Sequence, residues 1–502
     1  MQFLLINVPI REDQPPNNFP TGLGIIAAVL ENEGHEVTVL DINAHRYPPD
    51  EVVNIATRTP ADAIGISGMV STYRYQRWLI ETLKARRPNT PIIVGGGAAT
   101  SIPELMLTHT AADYLVIGEG EHTIVELAQT IANNADKQGV KGIAFREGDE
   151  IVITNSRPLE PDLDAFPLPA YHLFPVDIYL QHPIWHFKDA TMNIISSRGC
   201  PMSCRFCYNL FGGRSYRRRS VESIVEEIRL LKARWGINTF GFVDDNVTIN
   251  RKHLTALCDA LEKEDITWGC HGRVDTADDD RLAMMGKSGC KWLGFGIESG
   301  NQRILDAMNK KITVTEAKEA ILRTRRHGIF ANATFIYGYP GEDPESIADT
   351  LRFKLDLGIL VNSFFATPYP GTELYTLARE RGLIPDEHAY VLSLNNAYDF
   401  TVNLTEMPTD EFLERRRKAY EELKTAIAFK TAGVTHDDEQ SVLTLAADFL
   451  EKNTLIPESK GTVLLWLAQY YESQGQFDMA LKTRSTAFRL GASLDIPSGF
   501  PA

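Results

Sequence analysis

Cysteine is scarce in this chain and confined to one stretch. Of 502 residues only six are cysteine, namely Cys200, Cys204, Cys207, Cys258, Cys270 and Cys290. A disulfide scaffold would use more of them and spread them more widely, so that class is excluded. Long apolar runs are also lacking, and none reaches the roughly 20 residues of a bilayer span. The N-terminus, Met1-Gln2-Phe3-Leu4-Leu5-Ile6-Asn7, has no charged n-region and reads as a first strand, not a signal peptide. Positive charge is in deficit: 51 Lys and Arg face 66 Asp and Glu, a net −15 that argues against broad, sequence-independent nucleic-acid binding. The expectation is a cytoplasmic protein without stable membrane insertion.

The chain is too long for one core, so several domains are expected. Residues 1–138 alternate short apolar strands with helical stretches, the pattern of a Rossmann-like, doubly wound α/β sheet. Strands are predicted at Gln2–Val8, Glu36–Asp41, Ala63–Ser67, Pro91–Gly95 and Tyr114–Gly118, with helices at Thr21–Gly34 and Tyr73–Arg87. Such sheets bind ligands at the C-terminal ends of their strands. That edge carries Pro9, Ser67-Gly68-Met69, Gly95-Gly96-Gly97 and Gly118-Glu119-Gly120-Glu121. Glycine ends strands in many α/β proteins, but a series on successive strand ends suits a large, flat ligand.

Residues 139–190 read as a proline-marked linker with a hairpin at Gly142–Thr154. Residues 191–408 carry a second β/α series, predicted as a full or partial β/α barrel with its function at the strand C-terminal ends. Residues 409–502 are helical, and Gly461–Gly491 resembles a single tetratricopeptide repeat. One repeat is too few for an array, so a helical cap is the simpler expectation.

The strongest signal is Arg198-Gly199-Cys200-Pro201-Met202-Ser203-Cys204-Arg205-Phe206-Cys207-Tyr208. Three thiols in CxxxCxxC spacing directly follow a predicted strand. An iron–sulfur cluster binds through thiolates, and three protein ligands leave one iron open for a cofactor or substrate. Zinc would want four closed ligands or a histidine, and none is near in sequence. Buried structural cysteines would not crowd one loop. Cys258, Cys270 and Cys290 are irregularly spaced and read as core residues.

The motif resembles that of the radical SAM superfamily. Phe240–Asn246, Gly294–Gly300, Tyr337–Glu342 and Pro368–Glu373 extend the likeness. Together with residues 1–138 they resemble the branch that carries an N-terminal cobalamin-binding domain. That resemblance implies a [4Fe-4S] cluster on Cys200, Cys204 and Cys207, with S-adenosylmethionine on the open iron. It further implies that Asp244 or Asp245 holds the methionine amino group, although a Gly-Gly-Glu element is usual there. Glu298 is implied at the ribose or methionine end, with Ser299 close by. Tyr208 would lie against the adenine, with the backbone of Tyr337 and Gly338 closing that pocket, and Arg273 would pair the carboxylate. Ser67, Met69, Thr72, Gly95, Gly96, Gly97, Gly118, Glu119, Gly120 and Glu121 would contact cobalamin. No histidine lies between Pro9 and Gly24 to ligate cobalt, and His45 is a weak candidate.

The commonest activity of that branch is C-methylation of an unactivated carbon, by way of a 5′-deoxyadenosyl radical and methylcobalamin. Oxygen-independent cyclisation or another oxidative rearrangement of tetrapyrroles is the alternative. A methylthiotransferase is disfavoured, because that family puts three cysteines in its N-terminal domain and residues 1–199 contain none. The substrate would be a small molecule, lipid or natural-product precursor, in a pocket drawn from Tyr369, Thr372, residues 208–219 and Leu392–Phe400. The implied partner is an electron donor such as a flavodoxin or ferredoxin. Arg214, Arg217, Arg218 and Arg219 read either as a solvated approach to a helix capped by Ser220 or as a clamp on an anion.

Overall fold

A computed structural model describes every residue except Asp13, His186, Gly212, Gly213, Asn362, 432–442, 444, 445, 448, 453, 474 and 493–502. The chain divides into two units. The first comprises Met1–Gly272, Met284–Trp292 and Thr367–Thr401; the second comprises Arg273–Ala283, Leu293–Ala366 and Val402–Ala502.

The first unit opens with five parallel strands, β1 (Gln2–Asn7), β2 (Glu36–Asp41), β3 (Ala63–Ser67), β4 (Ile92–Gly95) and β5 (Tyr114–Val116). Runs such as Phe3-Leu4-Leu5-Ile6 and Ile92-Ile93-Val94 are buried throughout, as expected for strands covered on both faces. The hairpin of β6 (Ile143–Glu147) and β7 (Glu150–Ile153) continues the sheet antiparallel to β5, giving the order β2-β1-β3-β4-β5-β6-β7. The hairpin expected within the linker is therefore part of the first sheet.

The chain runs outward from β1 to β2 and then returns to β3 on the other side of β1. This reversal places a switch point between β1 and β3, where doubly wound sheets open a ligand crevice. Asn7 and Ser67, paired in register, stand at its mouth.

A second series follows, with β8 (Thr191–Ile194), β9 (Ser197–Arg198), β10 (Arg217–Arg218), β11 (Thr239–Phe242), β12 (Thr267–Gly272), β13 (Cys290–Glu298), β14 (Phe330–Tyr337) and β15 (Phe364–Phe365). Within the first unit, β11 lies parallel between β8 and β12, and β9 and β10 pair antiparallel at the base of the cysteine loop. These strands alternate with helices, as expected of a partial β/α barrel, and in the second unit β14 pairs parallel with β15. The helices between them start where the sequence supplies caps. Ser220 accepts from the Ser223 N–H ahead of helix Val221–Trp235, and Asn250 accepts from the His253 N–H ahead of Arg251–Glu264.

The second unit holds the end of β13, then β14 and β15. Its helix Val314–Arg326 begins with a capping box of Thr313 and Glu316. Helices Thr409–Thr431, Pro457–Ser473 and Phe477–Arg489 follow. Ala446, Phe449, Val463, Trp466 and Leu467 form a small core among the helices there. Among the described residues no helix is long and apolar enough to cross a membrane.

Candidate active site

Asp244, directly after β11, is buried, and its carboxylate is fully engaged by the turn after β8. Oδ1 accepts the Ser196 N–H at 2.9 Å, the Ser196 hydroxyl at 2.9 Å and the Ser197 hydroxyl at 2.6 Å, and also the Ser197 N–H. Burial raises the carboxyl even though these bonds work to lower it. The turn so held leads three residues later into Cys200. Asp245 makes no such bond. It lines the cavity described below, and desolvation there raises its carboxyl.

The three motif cysteines lie on the loop between β9 and β10. Cys200 and Cys204 are half-buried, Cys207 is exposed, and none is in a disulfide. The Cys207 N–H donates to the Cys204 carbonyl at 3.2 Å, which folds the loop into a turn. Among the described residues no three Cys, His, Asp or Glu side chains are gathered at metal-binding distances, these cysteines included. What fits an iron–sulfur cluster is the donor set: three cysteines outside any disulfide on one short loop, with no histidine in the motif. Cys258, Cys270 and Cys290 are buried, and burial pushes their thiols up, as expected of core cysteines.

A cavity of about 510 Å³ lies wholly within the first unit. Its wall includes every cobalamin contact the sequence suggested: Ser67, Met69, Thr72, Gly95, Gly96, Gly97, Gly118, Glu119, Gly120 and Glu121. The same cavity is lined by Gly199, Tyr208, Leu210, Asp244 and Asp245 from the cysteine-loop side. Two sets of residues assigned to different cofactors therefore face one space. The lining is mostly apolar, and the exposed Met69 adds a bare hydrophobic surface at the sheet edge. Gly96 makes that edge possible: its φ is +87°, and a Cβ there would lie 2.7 Å from the Gly68 carbonyl oxygen. A smooth edge without side chains fits a large planar ring system such as a corrin. No histidine is among the lining residues; His45 is exposed and stacks on Tyr47 at 4.8 Å.

Tyr208 bridges the two sides of the cavity. Its hydroxyl donates to the Gly97 carbonyl at 3.1 Å and lies 3.2 Å from Ser101 Oγ, and its ring sits 5.5 Å from that of Tyr369. Burial pushes the phenol up to about 12. Thr372, placed in a substrate pocket by the sequence reading, caps helix Glu373–Glu380 by accepting the Tyr375 N–H at 3.1 Å.

Sequence reasoning missed the partners of Glu119 and Glu121. Arg217 bonds both oxygens of Glu119, while Arg198 bonds Glu121 at 2.6 Å and contacts Glu119 at 3.3 Å. Burial alone would raise the Glu119 carboxyl, but the Arg217 bond and the charges of Arg198 and Arg217 hold it below the ordinary range. Arg219 pairs with the buried Glu227, which Tyr171 also contacts. Two members of the arginine run are thus internal ties, while Arg214 and Arg218 are exposed. Tyr179 was also missed. Its hydroxyl donates to Asp41 Oδ2 at 2.7 Å, and Asn7 donates to Asp41 Oδ1 at 2.8 Å, which fixes the mouth of the switch point. Apart from Arg219 and Glu227, which are 8 residues apart, these pairs are 34 to 138 residues apart in sequence, and no local pattern announces them.

The remaining candidates lie in the second unit. Glu298 ends β13 and pairs with Lys310 at 3.0 Å. Ser299 is buried, its hydroxyl engaged by Thr350 at 3.3 Å and by the Asn301 N–H at 3.1 Å. Arg273 bonds Asp275 at 2.9 Å and the Lys310 carbonyl at 3.3 Å. Tyr337 is buried, and the Gly338 N–H donates to Glu342 Oε2 at 2.6 Å.

Residues 194–353 match the radical SAM superfamily and residues 15–128 match the B12 binding domain. The chain is similar to an uncharacterized methyltransferase of Pyrococcus horikoshii, with 30% identity over 80% of this chain and 86% of that one. It is also similar to the anaerobic magnesium-protoporphyrin IX monomethyl ester cyclase of Cereibacter sphaeroides, with 33% identity over 62% of this chain and 52% of that one. The fold is similar to that of the radical S-adenosylmethionine methyltransferase TsrM from Kitasatospora setae, solved with cobalamin and a [4Fe-4S] cluster bound. There the TM-score is 0.66 at 17% identity, over 96% of this chain and 99% of that one. On the two matched domains and the length of the Pyrococcus likeness, the chain belongs to the cobalamin-binding branch of the radical SAM enzymes, whose cofactors are a [4Fe-4S] cluster, S-adenosylmethionine and cobalamin.

Proposed function

We propose that this enzyme methylates an unactivated carbon of a small molecule, lipid or natural-product precursor. The observation that carries the reading is the shared cavity, in which the glycine edge of the first sheet faces Tyr208, one residue beyond the last motif cysteine. When bound, the cofactors supply the hard chemistry: reductive cleavage of S-adenosylmethionine at the cluster to start a radical reaction, and a methyl carrier in cobalamin.

The chain's own residues position these groups. In this reading Cys200, Cys204 and Cys207 hold the cluster. Asp245 accepts from the methionine amino group, while Asp244 fixes the backbone that presents the cysteine loop. Glu298, Ser299, Arg273, Tyr337 and Gly338 serve the remaining contacts to S-adenosylmethionine. Ser67, Met69, Thr72, Gly95, Gly96, Gly97 and Gly118 form the cobalamin floor, with Gly120 beside them. Glu119 and Glu121 act through their arginine partners, fixing the loop after β5 against the base of the cysteine loop. The apolar lining keeps water from the reacting carbon. Residues 1–138 would be the cobalamin module, 139–190 the connection, 191–408 the radical module and 409–502 a helical cap. A one-electron donor of the flavodoxin or ferredoxin class would supply the reducing equivalent.

The likeness to the cyclase keeps a second outcome in view, an oxygen-independent oxidative rearrangement of a tetrapyrrole-type substrate. Anaerobic production with cobalamin supplied, followed by iron, sulfide and cobalamin analysis, is the first test. One cluster and one cobalamin per chain, with label passing from methyl-labelled S-adenosylmethionine to a product carbon, is the expected result. A cluster without cobalamin rules the reading out. Turnover that cleaves S-adenosylmethionine without moving its label favours the rearrangement.

A further inference from the structure

The second unit contains a shielded ion pair that the cofactor assignments leave unexplained. Glu298 ends β13 with φ of +75°, a left-handed conformation that is strained for any residue with a Cβ. Its side chain lies over Gly296. A Cβ at Gly296 would come 2.3 Å from Glu298 Oε1 and 3.0 Å from Lys310 Nζ, so glycine is what leaves room for the pair. The Lys310 ammonium donates to Glu298 Oε1 at 3.0 Å, with side-chain exposures of only 11% for the lysine and 8% for the glutamate.

Lys310 is itself held in place. It lies between Asn309 and Lys311, both left-handed, at φ of +53° and +54°. Its N–H donates to the Leu305 carbonyl at 3.0 Å, and its carbonyl accepts from Arg273 Nη2 at 3.3 Å. Arg273 is in turn fixed by three bonds to Asp275, at 2.9, 3.1 and 3.3 Å. A strained residue, a glycine that makes room and a tight turn thus converge on one result: an ammonium held against Oε1 of Glu298. Strain of this kind persists where the surroundings over-determine it, and it concentrates at functional sites. Among the described residues Oε2 of Glu298 takes no hydrogen bond, so that oxygen is left to accept from a ligand.

We infer that Lys310 is the positioning residue of Glu298, holding the carboxylate by Oε1 so that Oε2 is presented to the ribose hydroxyls of S-adenosylmethionine. The inference rests on the assignment of Glu298 to that cofactor made under Proposed function. A vicinal diol donates two hydrogen bonds and carries no charge, so it suits a carboxylate whose charge is already balanced.

The test measures equilibrium binding to anaerobically prepared protein carrying its cluster and cobalamin. The probes are S-adenosylhomocysteine and its 2′,3′-dideoxy analogue, and the proteins are wild type, K310M, K310R and E298Q. K310M is expected to weaken S-adenosylhomocysteine about ten-fold or more, the loss of one charge-assisted bond, and the dideoxy analogue less than about two-fold. K310R restores binding to within about three-fold, with iron and sulfide unchanged in both variants. Unchanged binding in K310M, or equal weakening of both probes, overturns the inference. Should K310M fail to load its cluster, K310Q takes its place and is judged by the same outcomes. Unchanged binding in E298Q removes the assignment of Glu298 itself. Weakened binding in E298Q beside unchanged binding in K310M removes only the role of Lys310.

Discussion

The phenol of Tyr208 donates to the carbonyl of Gly97 at 3.1 Å, which ties the residue after the last motif cysteine to the glycine-rich edge of the first sheet. The bond joins segments 111 residues apart, and the ring stands beside Tyr369. Removing the hydroxyl in Y208F loses this bond and the contact with Ser101, an expected cost of about 1 kcal/mol and a melting temperature lower by about 2 °C. Iron and sulfide per chain are expected to match wild type, while cobalamin retained through gel filtration falls. Retention equal to wild type would mean that the contact does not shape the cobalamin edge.

Asp244 and Asp245 are neighbours with opposite circumstances. Every hydrogen bond that Asp244 accepts comes from Ser196 and Ser197, so its replacement should act through the cysteine loop. D244N leaves buried donors poorly matched and is expected to cost about 2–3 kcal/mol and to lower cluster content. D245N disturbs no such network; it should keep its cluster and weaken S-adenosylmethionine binding. Iron analysis beside a binding measurement separates the two. Loss of the cluster in D245N but not in D244N would reverse the assignment.

Much of the first unit was legible because its strands are short apolar runs ended by glycine. Glu36–Asp41 and Ala63–Ser67 appear where the sequence placed them, and helix Val221–Trp235 starts after Ser220, the cap the sequence offered, and ends at Gly236. The cysteine spacing and the glycine triplet are local signals: the first suggested a cluster and the second a large, flat ligand, while cobalamin itself came from the family resemblance. What could not be read is long-range pairing. Arg217 reads as one of several basic residues approaching a helix, and only the fold reveals that it is buried against Glu119. Lys310, in Asn309-Lys310-Lys311, carries no local sign of the Glu298 that β13 brings onto it. The hairpin was visible from Glu147-Gly148-Asp149, but its docking on β5 depends on an unpaired sheet edge that sequence cannot display.

Arg217 and Arg198 together balance Glu119 in a site with little solvent. R217M leaves a buried carboxylate with one cation instead of two, and an expected loss of about 2–4 kcal/mol follows. E119Q, which removes the charge from the opposite side, leaves Arg217 uncompensated and should cost a similar amount. The double variant is expected to lose less than the sum of the two, as coupled partners do. Additive losses in a denaturant titration would show that the pair is not coupled.

Cys204 sits at the centre of the motif and is not among the residues lining the cavity. C204A is therefore expected to abolish the cluster and with it cleavage of S-adenosylmethionine, while cobalamin binding stays within about two-fold of wild type, since no cobalamin contact is removed. Spectra of cobalamin-loaded, iron-free protein would register this. Loss of both cofactors together would mean that the cobalamin edge folds only around an assembled cluster.

Two buried groups in the second unit should give stability opposite pH slopes. Burial pushes the Glu342 carboxyl from 4.5 up to about 8, and the N–H of Gly338 only partly offsets this. A raised carboxyl contributes stability that is complete below its unfolded value and is lost as pH climbs from 4.5 towards 8. Burial, aided by the charge of Arg416, takes the Lys354 ammonium from 10.5 down to about 7. A lowered amine contributes stability that is complete above its unfolded value and is lost as pH falls from 10.5 towards 7. E342Q should therefore be close to neutral at pH 5 and stabilising by on the order of 2 kcal/mol at pH 8.5, because the amide has no proton to lose. K354M should show the reverse trend, gaining most over wild type at pH 7 and least near pH 10. Melting curves across that range decide the matter: parallel profiles for wild type and E342Q would mean that Glu342 is solvated and ionised in the folded protein, and its bond to Gly338 could not then depend on burial.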